Sequence, residues 1–174
     1  CSRRQRRVSH GHGDTDVDSH LGLPAVDHSR SRLEAVELRP FRAAIEADVA
    51  TIMTAHVLVR ELDDVQPATL SPTVIADVIR GRIGFDGLLM TDDIDMKALS
   101  GTAGEKAAAA IAAGCDVALD CWARMDEMVE IAGRLGDASA ATLARLERAM
   151  ASVRPEEAPM DALIAKGDEL LALA

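Results

Sequence analysis

Aromatic side chains are scarce in this sequence, which has no tyrosine and an aromatic share of 2%. Because 48% of the residues are hydrophobic, any core must be built mainly from aliphatic residues and methionine. Cysteine is also rare, and Cys1, Cys115 and Cys121 lack the even number and the spacing of a disulfide framework. A disulfide scaffold is therefore excluded, and we expect a reducing compartment, the cytoplasm.

Positive charge and long hydrophobic runs are scarce as well. The formal net charge is -10 and the pI is about 4.9, so the chain repels phosphate backbones and anionic lipids. A basic run at residues 3–7 is the local exception, but the apolar stretch of a signal peptide does not follow it. No window approaches the ~18 apolar residues of a membrane span. Neither nucleic acids nor membranes are expected as partners.

The sequence alternates predicted helices with short, wholly apolar strands. The helices are predicted at residues 33–47, 71–84 and 103–113, and the strands at residues 51–57, 87–91 and 115–119. From residue 123 onward, the pattern predicts helices and no strand. Such alternation is typical of a parallel sheet covered by helices, which is either doubly wound or part of a (β/α)8 barrel.

Polar residues at the strand ends favour the barrel. His56, Asp92 and Asp120 each stand at the carboxyl end of a predicted strand, where barrel enzymes build their sites. A doubly wound sheet uses the same edge, so this position does not exclude it. Cys115 and Cys121 alternate with apolar residues along the third strand, and we therefore predict two buried thiols.

The loop at residues 11–20 is dense in groups that transfer protons or bind metals. An EF-hand calcium site is excluded because Ser19 stands where the turn needs glycine and Ala25 where a bidentate glutamate belongs. A transition-metal site at His10, His12 and His20 is one alternative.

An acid/base pair is a second interpretation of this loop. Asp18 and His20 are two residues apart, so a turn through Ser19 would bring the carboxylate onto an imidazole nitrogen. An aspartate in that position selects the tautomer of the histidine and raises its pKa toward the value that a general acid needs. Spacing alone does not separate this pair from a solvated polar loop.

The acidic stretch at residues 91–96 directly follows an apolar strand. An aspartate at the mouth of a barrel can act as a nucleophile or a metal ligand, whereas the ordinary alternative is a residue that caps the next loop. The position of Asp92 alone favours the cap.

Several motifs in order resemble glycoside hydrolase family 3, in particular its bacterial single-domain branch of β-N-acetylhexosaminidases that recycle peptidoglycan. The longest is residues 78–92, VIRGRIGFDGLLMTD, which is similar to the active-site signature of that family. The other matching motifs are residues 11–13 with 18–20, 53–56, 67–71, 96–101 and 113–116.

The resemblance implies a (β/α)8 barrel, of which this chain would hold the C-terminal part, and a retaining glycosidase. In this interpretation Asp92 is the nucleophile, and the acid/base is the pair formed by His20 and Asp18. His12, His56 and Arg7 would contact the sugar. The implied substrate is a β-linked N-acetylglucosamine of a peptidoglycan fragment, and neither a cofactor nor a metal is implied.

The chain also departs from the family pattern. Residues 1–10 match nothing in it, so we predict a non-family or disordered segment followed by a barrel part at residues 11–174. Residues 120–122 are Asp-Cys-Trp where the family tends to have His-Cys-Asn, so the resemblance supports no sugar contacts from that loop.

Length is the larger departure, because a complete barrel needs about 250 residues. The missing N-terminal half of the barrel is therefore an expected partner. An inactive remnant is the first competing hypothesis, and an α/β module that binds a metal or ligand through its histidine-rich loop is another.

Overall fold

The computed structural model describes residues 8–9, 15, 17–153, 164 and 169. A parallel sheet of four strands is formed by β1 (Val8–Ser9), β3 (Thr51–Met53), β5 (Leu88–Asp93) and β6 (Val117–Leu119), in that spatial order. A separate parallel pair consists of β2 (Ala25–Val26) and β4 (Leu58–Val59). The predicted α/β class and the three adjacent parallel strands are confirmed.

Helices cover the sheet and connect its strands. Their bounds are α1 (Arg30–Arg32), a π-helical segment (Leu33–Glu37), α2 (Arg39–Glu46), a 3-10 turn (Ala68–Leu70), a second π-helical segment (Val74–Arg82), α3 (Ala103–Ala113), α4 (Met125–Arg134) and α5 (Ala140–Ala151). All three predicted helices are present, and the described residues after 123 contain no strand. No helix within the described ranges has the length and apolar character that crossing a membrane requires.

Local chemistry sets the ends of α3. Thr102 accepts a hydrogen bond from the backbone N–H of Glu105, whose side chain accepts one from the N–H of Thr102, which is a capping box. Gly114 ends the helix with a φ of +114°, a conformation that side chains disfavour. A Cβ at this glycine would also lie 2.9 Å from the side chain of Ile75.

The main core lies between the sheet and the helical layer formed by the second π-helical segment and α3. Ile52 of β3 and Leu89 of β5 are completely buried, and they pack in one cluster with Ile75, Ile79 and Ala110. The aliphatic composition of this cluster agrees with the shortage of aromatic residues, although Phe85 also belongs to it. Its burial holds β3 and β5 in register, which determines which side chains meet at their carboxyl ends.

One prediction about the third strand is wrong. Cys115 is buried, with a relative exposure of 4%, but Cys121 is exposed, because β6 ends at Leu119 and residues 121–122 form a bend. Strand alternation therefore does not extend to Cys121. The β2–β4 pair was not predicted, since each of its strands has only two residues.

The predicted boundary at residue 10 stays a prediction, although Val8 and Ser9, on its N-terminal side, pair with Ile52 and Met53. The described strands form no closed barrel. The sheet therefore has the parallel topology of a barrel segment, and its carboxyl edge carries the polar residues considered next.

Candidate active site

Asp92 stands in an irregular part of β5. The pairing of β5 with β6 shifts between Met90, opposite Val117, and Asp93, opposite Leu119, so β5 contains one extra residue there. The hydroxyl of Thr91, which is fully buried, accepts a hydrogen bond from the N–H of Leu119 at 2.9 Å within this bulge. Bulges of this kind re-aim side chains beside active sites.

The carboxylate of Asp92 is half-buried and locally oriented. Its Oδ1 accepts a hydrogen bond from the N–H of Asp93 at 2.9 Å. On the other side, the backbone N–H of Asp92 donates to the carbonyl of Thr54 at 3.2 Å, which continues the pairing of β3 with β5. Asp92 is thus held at the carboxyl edge by one contact with the backbone of Asp93 and one with the backbone of Thr54.

Asp18 and His20 form the pair that is one of the two interpretations of their spacing. Oδ1 of Asp18 lies 2.8 Å from Nδ1 of His20 and also accepts the backbone N–H of His20 at 2.9 Å. A carboxylate can only accept, so Nδ1 carries the proton in this contact and Nε2 is the nitrogen that remains for proton transfer. Both side chains are more than half exposed, at 58% and 68%.

Ser19 anchors this pair beside β5. Unlike its two neighbours it is buried, with a relative exposure of 4%. Its hydroxyl lies 3.9 Å from the sulfur of Met96, and its carbonyl accepts the N–H of Ala98 at 3.2 Å. These contacts attach the turn at residues 18–22 to the segment that follows β5.

A single open cleft joins the two parts of the site. It has a volume of about 430 Å³ and is lined by Thr15, Val17, Asp18, Ser19, His20, Asp92 and Met96. A carboxylate and an imidazole therefore face one space that is open to solvent. This arrangement can supply a nucleophile and a proton donor to one bound molecule.

His56 lies beneath this edge. Its relative exposure is 0%, Nδ1 is 2.8 Å from the hydroxyl of Thr69, and Nε2 is 2.8 Å from the carbonyl of Asp93. Burial lowers the pKa of His56, against opposing effects of the Asp93 carbonyl and the Asp92 carboxylate. The family resemblance predicts His56 as a substrate contact, but its ring is completely buried and has no surface from which to touch a sugar.

The loop after β6 is attached to the same edge. Oδ1 of Asp93 accepts the backbone N–H groups of Asp95 and of Cys121, both at 3.2 Å. Oδ1 of Asp120 accepts those of Trp122 and Ala123, so it organises its own loop. Asp120 is at the carboxyl edge as predicted.

Two predicted site residues, Arg7 and His12, lie outside the described residues, as does His10 of the alternative metal site. Within the described ranges, no group of three or more histidine, cysteine, aspartate or glutamate side chains is arranged to hold a metal ion. The supporting residues Ser19, Thr54 and Thr69 were not predicted. In the sequence, each is a hydroxyl residue within an apolar run or a turn. Such residues are too common for the sequence alone to mark these three as part of a site.

The fold and the site define a parallel α/β barrel segment with a carboxylate and an aspartate–histidine pair at its carboxyl edge. Residues 9–154 match the N-terminal domain of glycosyl hydrolase family 3, and the chain belongs to that family. This confirms the family that the sequence motifs indicate.

Curated and structural relatives agree with this assignment. A β-hexosaminidase of Tolumonas auensis is 45% identical over 114 residues, which are 64% of this chain and 34% of that protein. The structure of a family 3 β-N-acetylglucosaminidase from Paenibacillus sp. superposes with a TM-score of 0.71 and 37% identity, covering 84% of this chain and 30% of the other.

A third relative has a bound ligand. NagZ from Neisseria gonorrhoeae, in complex with N-trifluoroacetyl-D-glucosamine, has a TM-score of 0.69 and 34% identity, covering 80% of this chain and 40% of its own. This chain spans about a third of the length of the curated relatives that it matches.

Proposed function

We propose that this chain supplies the reaction centre of a retaining β-N-acetylglucosaminidase. The single observation that carries the proposal is the cleft shared by Asp92 and the Asp18–His20 pair. The relatives are β-hexosaminidases, and one of them binds an N-acylated glucosamine analogue, which supports an amino-sugar glycoside as substrate. We further propose that the natural substrate is a peptidoglycan fragment in the cytoplasm.

The proposed first step uses both parts of the cleft. A carboxylate oxygen of Asp92 attacks the anomeric carbon of the sugar, and the glycosidic C–O bond breaks. Nε2 of His20 gives its proton to the departing oxygen, so the aglycone leaves as an alcohol and the sugar stays bound to Asp92 as an ester. Asp18 supports the imidazole by accepting the Nδ1 proton.

The second step reverses these roles. Nε2 of His20, now unprotonated, takes a proton from water as that water attacks the anomeric carbon. The ester bond breaks, Asp92 regains its carboxylate, and the sugar leaves with the β configuration. Two displacements at one carbon give net retention.

We propose that turnover needs the N-terminal part of the barrel. The chain spans about a third of the length of its relatives. Among the described residues, the lining of the cleft comes only from the turn around Ser19 and from the segment around Asp92. The experiment therefore combines this chain with the N-terminal part of the Tolumonas auensis enzyme, either as two chains or as one fusion. Hydrolysis of 4-nitrophenyl β-N-acetylglucosaminide and of a peptidoglycan disaccharide is measured.

We expect the combined protein to release β-N-acetylglucosamine first, as seen by proton NMR, and Asp92→Ala to abolish turnover. Asp77→Ala, which changes an exposed carboxylate of the second π-helical segment that does not line the cleft, is the matched control and should keep full activity. Release of the α anomer would exclude retention. A folded, combined protein that hydrolyses neither substrate would instead identify the chain as an inactive remnant.

A further inference from the structure

The buried histidine below the site contacts the backbone that carries Asp92. Two contacts from the β3 side hold this part of β5: the Thr54 carbonyl accepts the N–H of Asp92 at 3.2 Å, and Nε2 of His56 lies 2.8 Å from the carbonyl of Asp93. Thr54 acts through its main chain and His56 through its side chain. Together they fix the backbone on both sides of the Asp92 side chain, at the point where the bulge interrupts the regular pairing with β6.

The protonation of Nε2 follows from its partner. A carbonyl oxygen only accepts hydrogen bonds, so the contact with Asp93 requires a proton on Nε2. Nδ1 lies 2.8 Å from the hydroxyl of Thr69, which also lies 3.0 Å from the carbonyl of Ala55. Thr69 has one hydroxyl proton, for which the Ala55 carbonyl and Nδ1 of His56 compete.

The hydroxyl of Thr54 extends this arrangement, because it lies 2.9 Å from the hydroxyl of Thr69. Thr54 can donate to Thr69, whose hydroxyl contacts both the Ala55 carbonyl and Nδ1 of His56. At the other end of the ring, Nε2 of His56 donates to the carbonyl of Asp93. Thr54, His56 and Thr69 are each 0% exposed, so bulk water does not reach their polar groups. The ring is therefore oriented at one end by Thr69 and acts on Asp93 at the other.

We infer that His56 is a positioning residue, which holds the Asp93 carbonyl through Nε2–H and thereby sets the direction of the Asp92 carboxylate. The inference rests on the proposed function, because it assigns the histidine to the nucleophile of that reaction. It replaces direct sugar contact as the role of His56. A displacement of about 1 Å in such a group can cost about 10²-fold in rate.

Two amide substitutions distinguish the contribution of Nε2 from that of Nδ1. His56→Gln places an amide N–H near the position of Nε2 and can still donate to the Asp93 carbonyl. His56→Asn reaches only the position of Nδ1, so it keeps a partner for Thr69 and loses Asp93. Each variant removes one buried hydrogen bond, so similar losses of thermal stability are expected, and these serve as the internal control for a purely structural effect.

The kinetic readout uses the combined protein described above. We expect kcat of His56→Asn to fall about 10²-fold with little change in KM, because the sugar is still bound but the nucleophile is misdirected. His56→Gln should recover most of this loss. Equal losses of kcat in two equally stable variants would overturn the inference, and so would a loss that appears only in KM.

A second readout uses the 174-residue chain itself and needs no activity. Nitrogen-15 NMR at neutral pH should show His56 protonated at Nε2, with a slowly exchanging proton. The backbone amide signals of Asp93 and Ile94 should move in His56→Asn and stay near their wild-type positions in His56→Gln. A ring without a proton on Nε2 would overturn the inference, whereas absent hydrolysis with these NMR results intact would count against the proposed function alone.

Discussion

At the scale of single residues, one oxygen of Asp18 receives two donors from His20, the ring Nδ1–H and the backbone N–H. The contact spans two positions of a tight turn, so it needs no other part of the molecule. It selects the tautomer with Nε2 directed away from Asp18. The turn alone does not place the pair beside Asp92. The contact of the buried Ser19 with Met96 attaches it to the segment that follows β5.

The first prediction is that the rate loss caused by His20→Ala depends on the leaving group of the substrate. The rates are measured in the combined protein. His20→Ala should lower the rate of disaccharide cleavage by about 10²–10⁴-fold, the usual contribution of a general acid. A nitrophenolate is already stable as an anion, so cleavage of the aryl glycoside should lose far less in its first step. The sugar ester on Asp92 should then accumulate, because water activation is also lost, and mass spectrometry of that peptide would detect it.

Asp27→Ala is a suitable control for His20→Ala, because Asp27 is an exposed residue beyond the turn. It should behave as the wild type on both substrates. Equal losses on the two substrates would remove His20 from the acid role, and an adduct on another residue would remove Asp92 as nucleophile.

The second prediction concerns the two thiols around β6. Burial raises the pKa of the Cys115 thiol to about 12, so the thiolate is absent at pH 8 and the sulfur is inaccessible. Cys121 is exposed, although its slight burial and the carboxylates of Asp93, Asp92 and Asp120 raise its pKa. Iodoacetamide at pH 8 should label Cys121 slowly and Cys115 only after denaturation.

Peptide mapping by mass spectrometry checks this prediction, since it separates both residues from Cys1. Addition of denaturant before the reagent is the control, and it should make the two cysteines equally reactive. Labelling of native Cys115 at the rate of Cys121 would show that the core near β6 opens readily.

At the scale of secondary-structure elements, Asp116 connects the start of β6 with β5, α5 and the second π-helical segment. It lies at the amino ends of the strands, opposite the candidate site. Its side chain has a relative exposure of 4%, and its Oδ2 accepts Arg80 Nη2 at 2.7 Å and the N–H of Leu89 at 2.9 Å. Its Oδ1 accepts Arg145 Nη1 at 3.0 Å, which attaches α5 to the start of β6. The guanidinium of Arg80 also lies over the ring of Phe85.

Asp116→Ala should therefore destabilise the chain by about 3–5 kcal/mol, the usual effect of removing one partner of a buried ion pair. Arg80 and Arg145 would be left without their common anion in a poorly hydrated site. Urea unfolding followed by circular dichroism measures the free energy of unfolding.

Asp86→Ala is the matched control for this element, because Asp86 also contacts Arg145 but its side chain is 77% exposed. Water can replace such an exposed partner, so little change in stability is expected. If the two variants lost equal stability, the buried position of Asp116 would not be what matters.

At the scale of the whole molecule, the four-stranded sheet ends in two outer strands, β1 and β6. All three residues of β6 are only partly buried, and Trp122 and Met125 beyond it are 67% and 71% exposed. Outer strands with unpaired backbone groups and nearby apolar side chains favour association with further chain. The part matched by this chain is 34% of the length of the Tolumonas auensis relative, so that protein extends well beyond it.

We predict that the N-terminal part of the Tolumonas auensis enzyme binds this chain one to one and raises its melting temperature. The physical reason is pairing of the outer strands and burial of the apolar surface beyond β6. Sedimentation velocity measures the complex and differential scanning calorimetry the melting temperature. The corresponding part of an unrelated (β/α)8 protein is the control, and an equal effect from it would indicate unspecific association.

The sequence by itself determined the order of the elements and the chemistry at their ends. Short apolar runs predicted β3, β5 and β6, and the alanine-rich run that ends at Gly114 predicted α3, because helix caps and hydrophobic periodicity act between residues close in the chain. The Asp18–His20 pair belongs to the same group, since its partners are two residues apart. The resemblance to family motifs added the proposed role of Asp92 as nucleophile, which spacing could not assign.

Only the tertiary structure decided how these parts meet. The contact of His56 with Asp93 joins residues 37 positions apart, and that of Ser19 with Met96 joins residues 77 apart. The bulge beside Asp92 likewise depends on the register of two separate strands. Such contacts form where burial of the common core brings distant segments together, and for this reason neither the burial of His56 nor the exposure of Cys121 followed from local sequence.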